Sequence, residues 1–287
     1  IVTLNQFSEF GNSLWHYGVT GKTIEEIFIN EKTEKSRLKA MFLTQGSAGT
    51  LGSADYLREK FPQIKIGAGE ALQCPTLLYN GYGGHRIEGI GDKHVPWIHN
   101  IKNMDLVAAI DDEVCINLMN LFNNGNGKEE LIYNGVPENV VDNLHLFGIS
   151  SIANIIGAIK MAKYYEMNEN DFVFTVATDS MEMYKSRLQE SKIKLGEYKQ
   201  KNAAIDYEGK LHGIKTDNMI ELNYYDKKRM HNLKYFTWVE QQGKTVEELD
   251  DQWYDDNYWN SKYSKLDYWD KKINEFNDKT GLLKNYL

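Results

Sequence analysis

Between residues 41 and 180, short apolar runs alternate with longer stretches of helical periodicity. This alternation constrains the fold more than any other feature of the chain. Met41-Phe42-Leu43-Thr44, Ile64-Lys65-Ile66-Gly67-Ala68, Leu106-Val107-Ala108-Ala109-Ile110 and Phe172-Val173-Phe174-Thr175-Val176-Ala177 read as strands. Helical patterns over 54–60, 112–122 and 152–165 separate them, and 181–194 reads as one more helix. Strands apolar on both faces and joined by helices predict an α/β fold: a twisted, mostly parallel sheet with helices on both faces. The first forty residues predict helix, with Thr23-Ile24-Glu25-Glu26 as a capping box.

The tail has a different composition. From His231 to Leu287 it holds four of the six tryptophans, many tyrosines and frequent Asp and Lys. Thr245-Val246-Glu247-Glu248 is a second capping box, and Trp253-Tyr254-Asp255-Asp256-Asn257-Tyr258-Trp259 is too aromatic for a solvated linker. The expectation is an aromatic-rich helical extension strapped over the α/β body or over a partner chain. Three parts follow: 1–40, 41–195 and 196–287.

Charge and composition narrow the function classes. A net charge of −8 leaves no basic stripe for phosphate backbones, so no nucleic-acid partner is expected. No apolar run reaches the roughly 18–20 residues of a membrane span, and no membrane partner is expected. Two cysteines, Cys74 and Cys115, make no disulfide framework and fit a reducing, cytoplasmic setting. The seven histidines form no ligand-spaced cluster with Cys; His94 and His99 alone do not define a metal site. The chain opens on Ile1-Val2-Thr3-Leu4, without an initiator Met, and reaches Gln6-Phe7-Ser8 at once. That reads as the end of a strand entering a functional loop, and the expectation is a sequence that starts inside a longer protein.

Five segments carry candidate chemistry. Thr44-Gln45-Gly46-Ser47-Ala48-Gly49-Thr50-Leu51-Gly52 follows a strand and opens a helix. Small residues let backbone N–H groups approach an anion, the helix N-terminus favours negative charge, and Ser47 and Thr50 add hydroxyls. Phosphate binding and a merely tight turn are both compatible with it. The loop has neither the Lys-Ser/Thr pair of a Walker loop nor the G-x-G-x-x-G spacing of a dinucleotide site. Gly148-Ile149-Ser150-Ser151 lies at another strand–helix junction, where either serine suits a helix cap. Thr178-Asp179-Ser180 follows the last apolar strand, at the end where α/β ligands bind, or simply starts a helix. Gly83-Gly84-His85-Arg86-Ile87-Glu88-Gly89-Ile90-Gly91 suggests a loop crossing close to something, with His85 either catalytic or structural. Gln6-Phe7-Ser8-Glu9-Phe10-Gly11-Asn12 is polar without further context.

In order and spacing these segments resemble the fold type II pyridoxal-phosphate enzymes, within them the cysteine synthase and cystathionine β-synthase family. Gln6-Phe7 resembles the pair that closes over the substrate carboxylate, followed by Gly11-Asn12, His16-Tyr17 and Thr20-Gly21. Gly46-Ser47-Ala48-Gly49-Thr50 is similar to the phosphate loop, and His85 to Gly91 to the family's histidine-basic-isoleucine-x-glycine-isoleucine-glycine segment. Gly148-Ile149-Ser150-Ser151 resembles the segment near the substrate. Ser180, four residues before Tyr184, resembles the serine on the pyridine nitrogen. The resemblance covers about residues 1–190 and makes 1–40 the end of a small substrate lobe and 41–195 the large cofactor domain. The chain departs from the family at Ala48, where a glycine is usual, at Ile152 after Ser151, and at Met181 and Met183.

The resemblance implies pyridoxal 5'-phosphate as cofactor, held by Gly46, Ser47, Ala48, Gly49, Thr50 and Ser180, and a small amino-acid substrate bound through Gln6 and Gly148. It implies β-elimination or β-replacement, as with O-acetylserine plus sulfide or in cysteine breakdown. A neutral serine on the ring nitrogen would suit elimination over transamination. The Schiff-base lysine of the family lies in a serine-x-lysine stretch that this chain lacks; Ser191-Lys192, Ser261-Lys262 and Ser264-Lys265 do not have its context. An N-terminal segment or partner subunit is therefore expected to supply it, and a homodimer is expected to cover apolar surface. Two other outcomes stay open: an ammonia-lyase (diaminopropionate or threonine type) or thiolase subunit on the same fold, and a non-catalytic phosphate-loop binding module.

Overall fold

The computed structural model describes residues 4–285; the strand end expected at Ile1 to Thr3 lies outside the described residues. Five strands form one sheet: β1 (Arg37–Thr44), β2 (Lys65–Ala71), β3 (Leu106–Ile110), β4 (Asp171–Phe174) and β5 (Met219–Glu221), in the order β4-β1-β2-β3-β5. The first four pair in parallel, and β5 runs antiparallel to β3. Each parallel crossover carries helix, as parallel strands require.

Alternation along the strands builds two cores. In β1, Ala40 and Phe42 face the helices Asp112–Asn123 and Ile149–Tyr164, while Met41 and Leu43 face Leu51–Lys60 and Gly21–Glu31. In β3, Leu106, Ala108 and Ile110 join the first core and Val107 the second. Both faces are thereby covered, which is why these strands are apolar throughout.

Several boundaries differ from the sequence reading, among them the strand expected at 172–177, which is Asp171–Phe174, and three for which the packing shows the reason. β1 starts at Arg37 rather than Met41, because the Arg37 guanidinium pairs with Asp171 of β4 at 2.8 Å and Leu38 is already buried. Thr23 is not a helix start. Helix runs from Gly11 to Glu31 through a wide turn at His16–Thr20, because Ser13 and Gly21 pack against Gly52 and Tyr56 and extend it upstream. The predicted helix at 181–194 begins as a tight turn, Met181–Tyr184, before the helix Lys185–Leu195.

The tail contributes more than helices. β5, which pairs Met219 with Ala108, lies inside the stretch read as extension, so the boundary after 195 does not separate sheet from tail. Beyond β5 the chain forms the helices Tyr224–Asn232, Val246–Tyr254, Tyr258–Tyr263 and Leu266–Thr280. Thr245 caps the second of these by accepting the Glu248 N–H at 3.1 Å, as its capping box predicts. Trp238, Trp253, Tyr258, Trp259 and Tyr263 are buried and fasten the tail to the body.

Candidate active site

Parallel sheets bind ligands beyond the carboxyl ends of their strands. Here β1 ends at Thr44, and the chain after β4 continues beside it, with the Thr175 hydroxyl donating to the Phe42 carbonyl at 2.7 Å. Asn154, buried on the helix Ile149–Tyr164, bridges the two: its Oδ1 accepts the Thr44 N–H at 2.6 Å and its Nδ2 donates to the Val176 carbonyl at 2.8 Å. Past this bridge a cavity of about 310 Å³ opens. It brings together Gln6, Asn12, His16, the 46–50 loop, Glu88 and the Thr178-Asp179 turn, segments up to 173 residues apart in sequence (179 − 6).

The loop is built for an anion. Among the described residues the N–H groups of Gly46, Ser47, Ala48, Gly49 and Thr50 have no hydrogen-bond partner, whereas Leu51, Gly52 and Ser53 already donate within the first helical turn. Unpaired backbone donors gathered at a helix N-terminus are the arrangement that binds phosphate. Ala48 takes a left-handed conformation, φ 64°, with its methyl buried in the core between β1 and the helix Leu51–Lys60. The alanine therefore keeps the glycine-like turn, which costs roughly 1–2 kcal/mol. Asn12 braces the loop, donating from Nδ2 to the Ser47 Oγ at 3.0 Å. A Cβ at Gly49 would sit 2.1 Å from that amide, and one at Gly46 would meet the Gly89 carbonyl at 2.9 Å, so only glycine lets these segments approach.

The other walls are less generic. His16 forms a hydrogen bond between Nδ1 and the Thr20 hydroxyl at 2.9 Å, and burial lowers its pKa, which favours the neutral ring. Asp179 lines the cavity, its Oδ2 accepting from the Tyr184 hydroxyl at 2.5 Å and its Oδ1 from Thr178 at 3.3 Å. Burial, with the same hydrogen bond, raises the Tyr184 hydroxyl well above the usual tyrosine range. Arg187 holds Glu88 Oε1 at 2.6 Å, while Oε2 is buried without a partner. Among the described residues no lysine lines the cavity.

The sequence-predicted residues divide accordingly. Gln6, Gly46, Ser47, Ala48, Gly49 and Thr50 converge on one cavity. Ser180 stands beside it, its hydroxyl accepting the Glu182 N–H at 3.4 Å as a helix cap, while Thr178 and Asp179 form the wall. Gly148 is not part of the lining. Its N–H donates to the Asp179 carbonyl at 2.7 Å, and a Cβ there would fall 2.0 Å from the Asp179 carboxylate. Ser150 and Ser151 do not cap their helix, because Thr178 engages both: Ser150 Oγ lies 2.6 Å from its hydroxyl and Ser151 Oγ accepts its N–H at 2.9 Å. His85 accepts the Ile87 N–H and fills the space beside Gly91, outside the cavity lining. Sequence reasoning missed Asn154; its signal was the single carboxamide within the apolar run 152–159 of its helix.

The mostly parallel sheet and its covering helices match the fold of solved fold type II pyridoxal-phosphate enzymes. No family model matches the chain. Cysteine synthase B of Campylobacter jejuni is 30% identical over 142 residues, covering 49% of this chain and 40% of that protein. Cysteine synthase of Staphylococcus aureus is 28% identical over 182 residues, 63% of this chain and 51% of that protein. A solved hydrogen sulfide-producing enzyme of Fusobacterium nucleatum has a TM-score of 0.51 at 26% identity, covering 70% of this chain and 53% of that one. The chain spans about half the length of the curated relatives it matches. Over these lengths sequence and structure are similar to cysteine synthases and related enzymes of the fold type II group.

The resemblance implies pyridoxal 5'-phosphate, and the residues present fit its phosphate end. The five unpartnered N–H groups, the Ser47 and Thr50 hydroxyls and the helix N-terminus match a phosphate dianion.

Proposed function

We propose that this chain forms the phosphate and substrate-carboxylate walls of a pyridoxal-phosphate enzyme that performs β-elimination or β-replacement on a small amino acid. The observation that carries the reading is the row of five unpaired N–H groups at 46–50 opening into the cavity that also holds Gln6. Bound there, the cofactor would act as the electron sink for loss of the α-proton and the β-substituent. The relatives' names, cysteine synthase and hydrogen sulfide-producing enzyme, favour O-acetylserine with sulfide, or cysteine, over the ammonia-lyase and thiolase alternatives.

The chain's own residues take these roles. The 46–50 amides with Ser47 and Thr50 hold the phosphate, and Asn12 keeps Ser47 in place. Gln6 offers a carboxamide to the substrate carboxylate, which a neutral His16 neither attracts nor repels. Ser180 is proposed for the ring nitrogen because a hydroxyl is neutral and because the neighbouring Asp179 is already engaged by Tyr184 and Thr178. With no lysine among the described lining residues, the Schiff-base lysine is proposed to come from outside these 287 residues, from another segment or another chain. A homodimer is proposed on the exposed Trp269, Ile273 and Phe276, and a cytoplasmic setting on the two buried free thiols.

The test is titration of the chain with inorganic phosphate and pyridoxal phosphate, followed by borohydride reduction and mass mapping. We expect the two ligands to compete, Gly49→Val to abolish both, and reduction to leave no adduct in the cavity of the isolated chain. Phosphate binding indifferent to Gly49→Val would refute the site, and a reduced adduct on a cavity lysine of this chain would refute the external anchor. Product analysis with O-acetyl-L-serine plus sulfide, against diaminopropionate, then separates the reactions.

A further inference from the structure

Gln6 sits at the cavity mouth on a turn, and the structure shows what holds that turn. The Phe7 carbonyl accepts the Trp97 N–H at 2.8 Å, which ties the turn to residues 95–99. Those residues are in turn gripped by the C-terminal tail. Trp238, buried, donates its indole N–H to the Val95 carbonyl at 2.8 Å. Lys234, 0% exposed, donates to the Trp97 and His99 carbonyls at 3.0 and 2.7 Å and to the Gln252 Oε1 at 2.6 Å. The Phe7 ring packs on His94 at 5.4 Å between centroids, and His94 on Trp238 at 5.3 Å, so rings run unbroken from tail to turn.

The other end of the turn is held the same way. Phe10 lies edge-on to Tyr258 and Trp259, with centroids 6.3 and 6.0 Å away. The Tyr263 hydroxyl lies 3.2 Å from the Ser13 Oγ and donates to the buried Asp55 at 2.5 Å. Gln6, which lines the cavity, is the residue next to the first anchor, and Asn12, which braces the 46–50 loop, lies within the second. A buried side chain that fixes three backbone carbonyls or carboxamides is costly to desolvate, and it is retained only where the geometry it imposes is complete.

We propose that the tail is a positioning element of the active site, with Trp238 and Lys234 as positioning residues that set Gln6 against the substrate carboxylate. The proposal deepens, and rests on, the reading of the 46–50 cavity as the cofactor site. Among the described residues, the turn between residues 5 and 10 is bonded through Asn5, through the Leu14 N–H to the Phe10 carbonyl, and through the Phe7 carbonyl to Trp97 and Ile98. The last of these is the long-range tie, and through residues 95–99 the position of the turn is imported from the tail.

The experiment uses the full chain and Trp238→Phe, which keeps one aromatic ring but removes the N–H to Val95 together with the rest of the buried indole. Amide hydrogen exchange should rise about tenfold over residues 6–12 while β1, β2 and β3 keep their protection. In protein loaded with pyridoxal phosphate, L-alanine carries the α-carboxylate and has no β-leaving group. Its binding should weaken three- to tenfold while affinity for inorganic phosphate changes less than twofold. Lys234→Met, of similar length, should reproduce the split if it folds. Unchanged exchange over 6–12, or equal loss of L-alanine and phosphate binding, would overturn the positioning role. Failure of the unmutated chain to bind inorganic phosphate would refute the cofactor reading instead, and the exchange result would still decide whether the tail holds the turn.

Discussion

The phosphate loop and the wall behind Gln6 meet at one cavity and are made by opposite means. The loop uses almost no side chain: glycines, one alanine at positive φ and unpaired N–H groups at a helix start. The wall is nearly all side chain, tryptophans and a buried lysine reaching back from residues 234–263. Backbone recognition of an anion needs only a local turn and is written within nine consecutive residues, 44–52. Side-chain positioning of a turn at residue 6 by residues more than 220 positions later depends on packing across the molecule (234 − 6 = 228). The first is therefore readable from sequence, and the second is not.

Several outcomes would break or sharpen this contrast. The largest effect is expected from Lys234→Ala, which removes the donor to the His99 carbonyl and Gln252 Oε1 and leaves the Trp97 carbonyl only the bond from Gln252 Nε2 at 3.2 Å, in a fully buried site. It should cost about 4 kcal/mol in urea unfolding. A change below about 1 kcal/mol would show that the wall does not depend on this group.

The next effect is pH dependence of opposite sign in the two regions. In the body, burial pushes Glu70 up to about 7 despite hydrogen bonds from the Leu77 and Leu78 N–H groups. Its folded pKa is raised, so its contribution is present at acid pH and is lost as pH rises from about 4.5 through 7. In the tail, burial beside Lys234 brings His231 down to about 3. Its folded pKa is depressed, so its contribution is present above about 6.5 and falls away as pH drops toward 3. At about 1.4 kcal/mol per unit, these amount to about 3 kcal/mol for Glu70 and about 5 kcal/mol for His231 across their full windows. Comparing unfolding curves of Glu70→Gln and His231→Gln with the parent at pH 4.5 and 7.5 should show differences of opposite sign; the same sign would remove the contrast.

A smaller effect is expected from Gly52→Ala, whose Cβ would lie 2.3 Å from the Ser13 carbonyl. It should cost about 2 kcal/mol and weaken inorganic phosphate binding, because the helix carrying the loop must back away from Asn12. Unaltered thermal unfolding would mean that helix packing is looser than it looks. The smallest is Ala48→Gly, which relieves a φ of 64° but gives up a buried methyl. These nearly offset, so stability should move by less than about 1 kcal/mol while phosphate affinity stays within twofold.

Most of the sheet was legible because its strands are short apolar runs separated by helix, and β3 matches its predicted span at Leu106–Ile110. β5 was not, since three residues, Met219-Ile220-Glu221, carry no periodicity and are strand only because β3 offers an edge. Thr23 misled because a capping box reports what a helix start would look like, whereas packing of Gly21 on Tyr56 carries the helix past it. In the candidate site, the 46–50 loop and Gln6 were singled out from residue type and order, and they line one cavity. The bridging of strand ends by Asn154 and the displacement of Gly148 by the Asp179 carboxylate could not be read that way, because both depend on which residues meet across 22 and 31 positions (176 − 154; 179 − 148).

Ala48 and the Asn12–Ser47 hydrogen bond hold the 46–50 amides in one orientation. A receptor already shaped for its ligand surrenders little chain freedom on capture. Association should then be limited by diffusion and charge rather than by a slow rearrangement, and stopped-flow traces with inorganic phosphate should be single-exponential with a rate linear in concentration. Residence time, not capture, would distinguish a bare anion from a larger molecule carrying the same group.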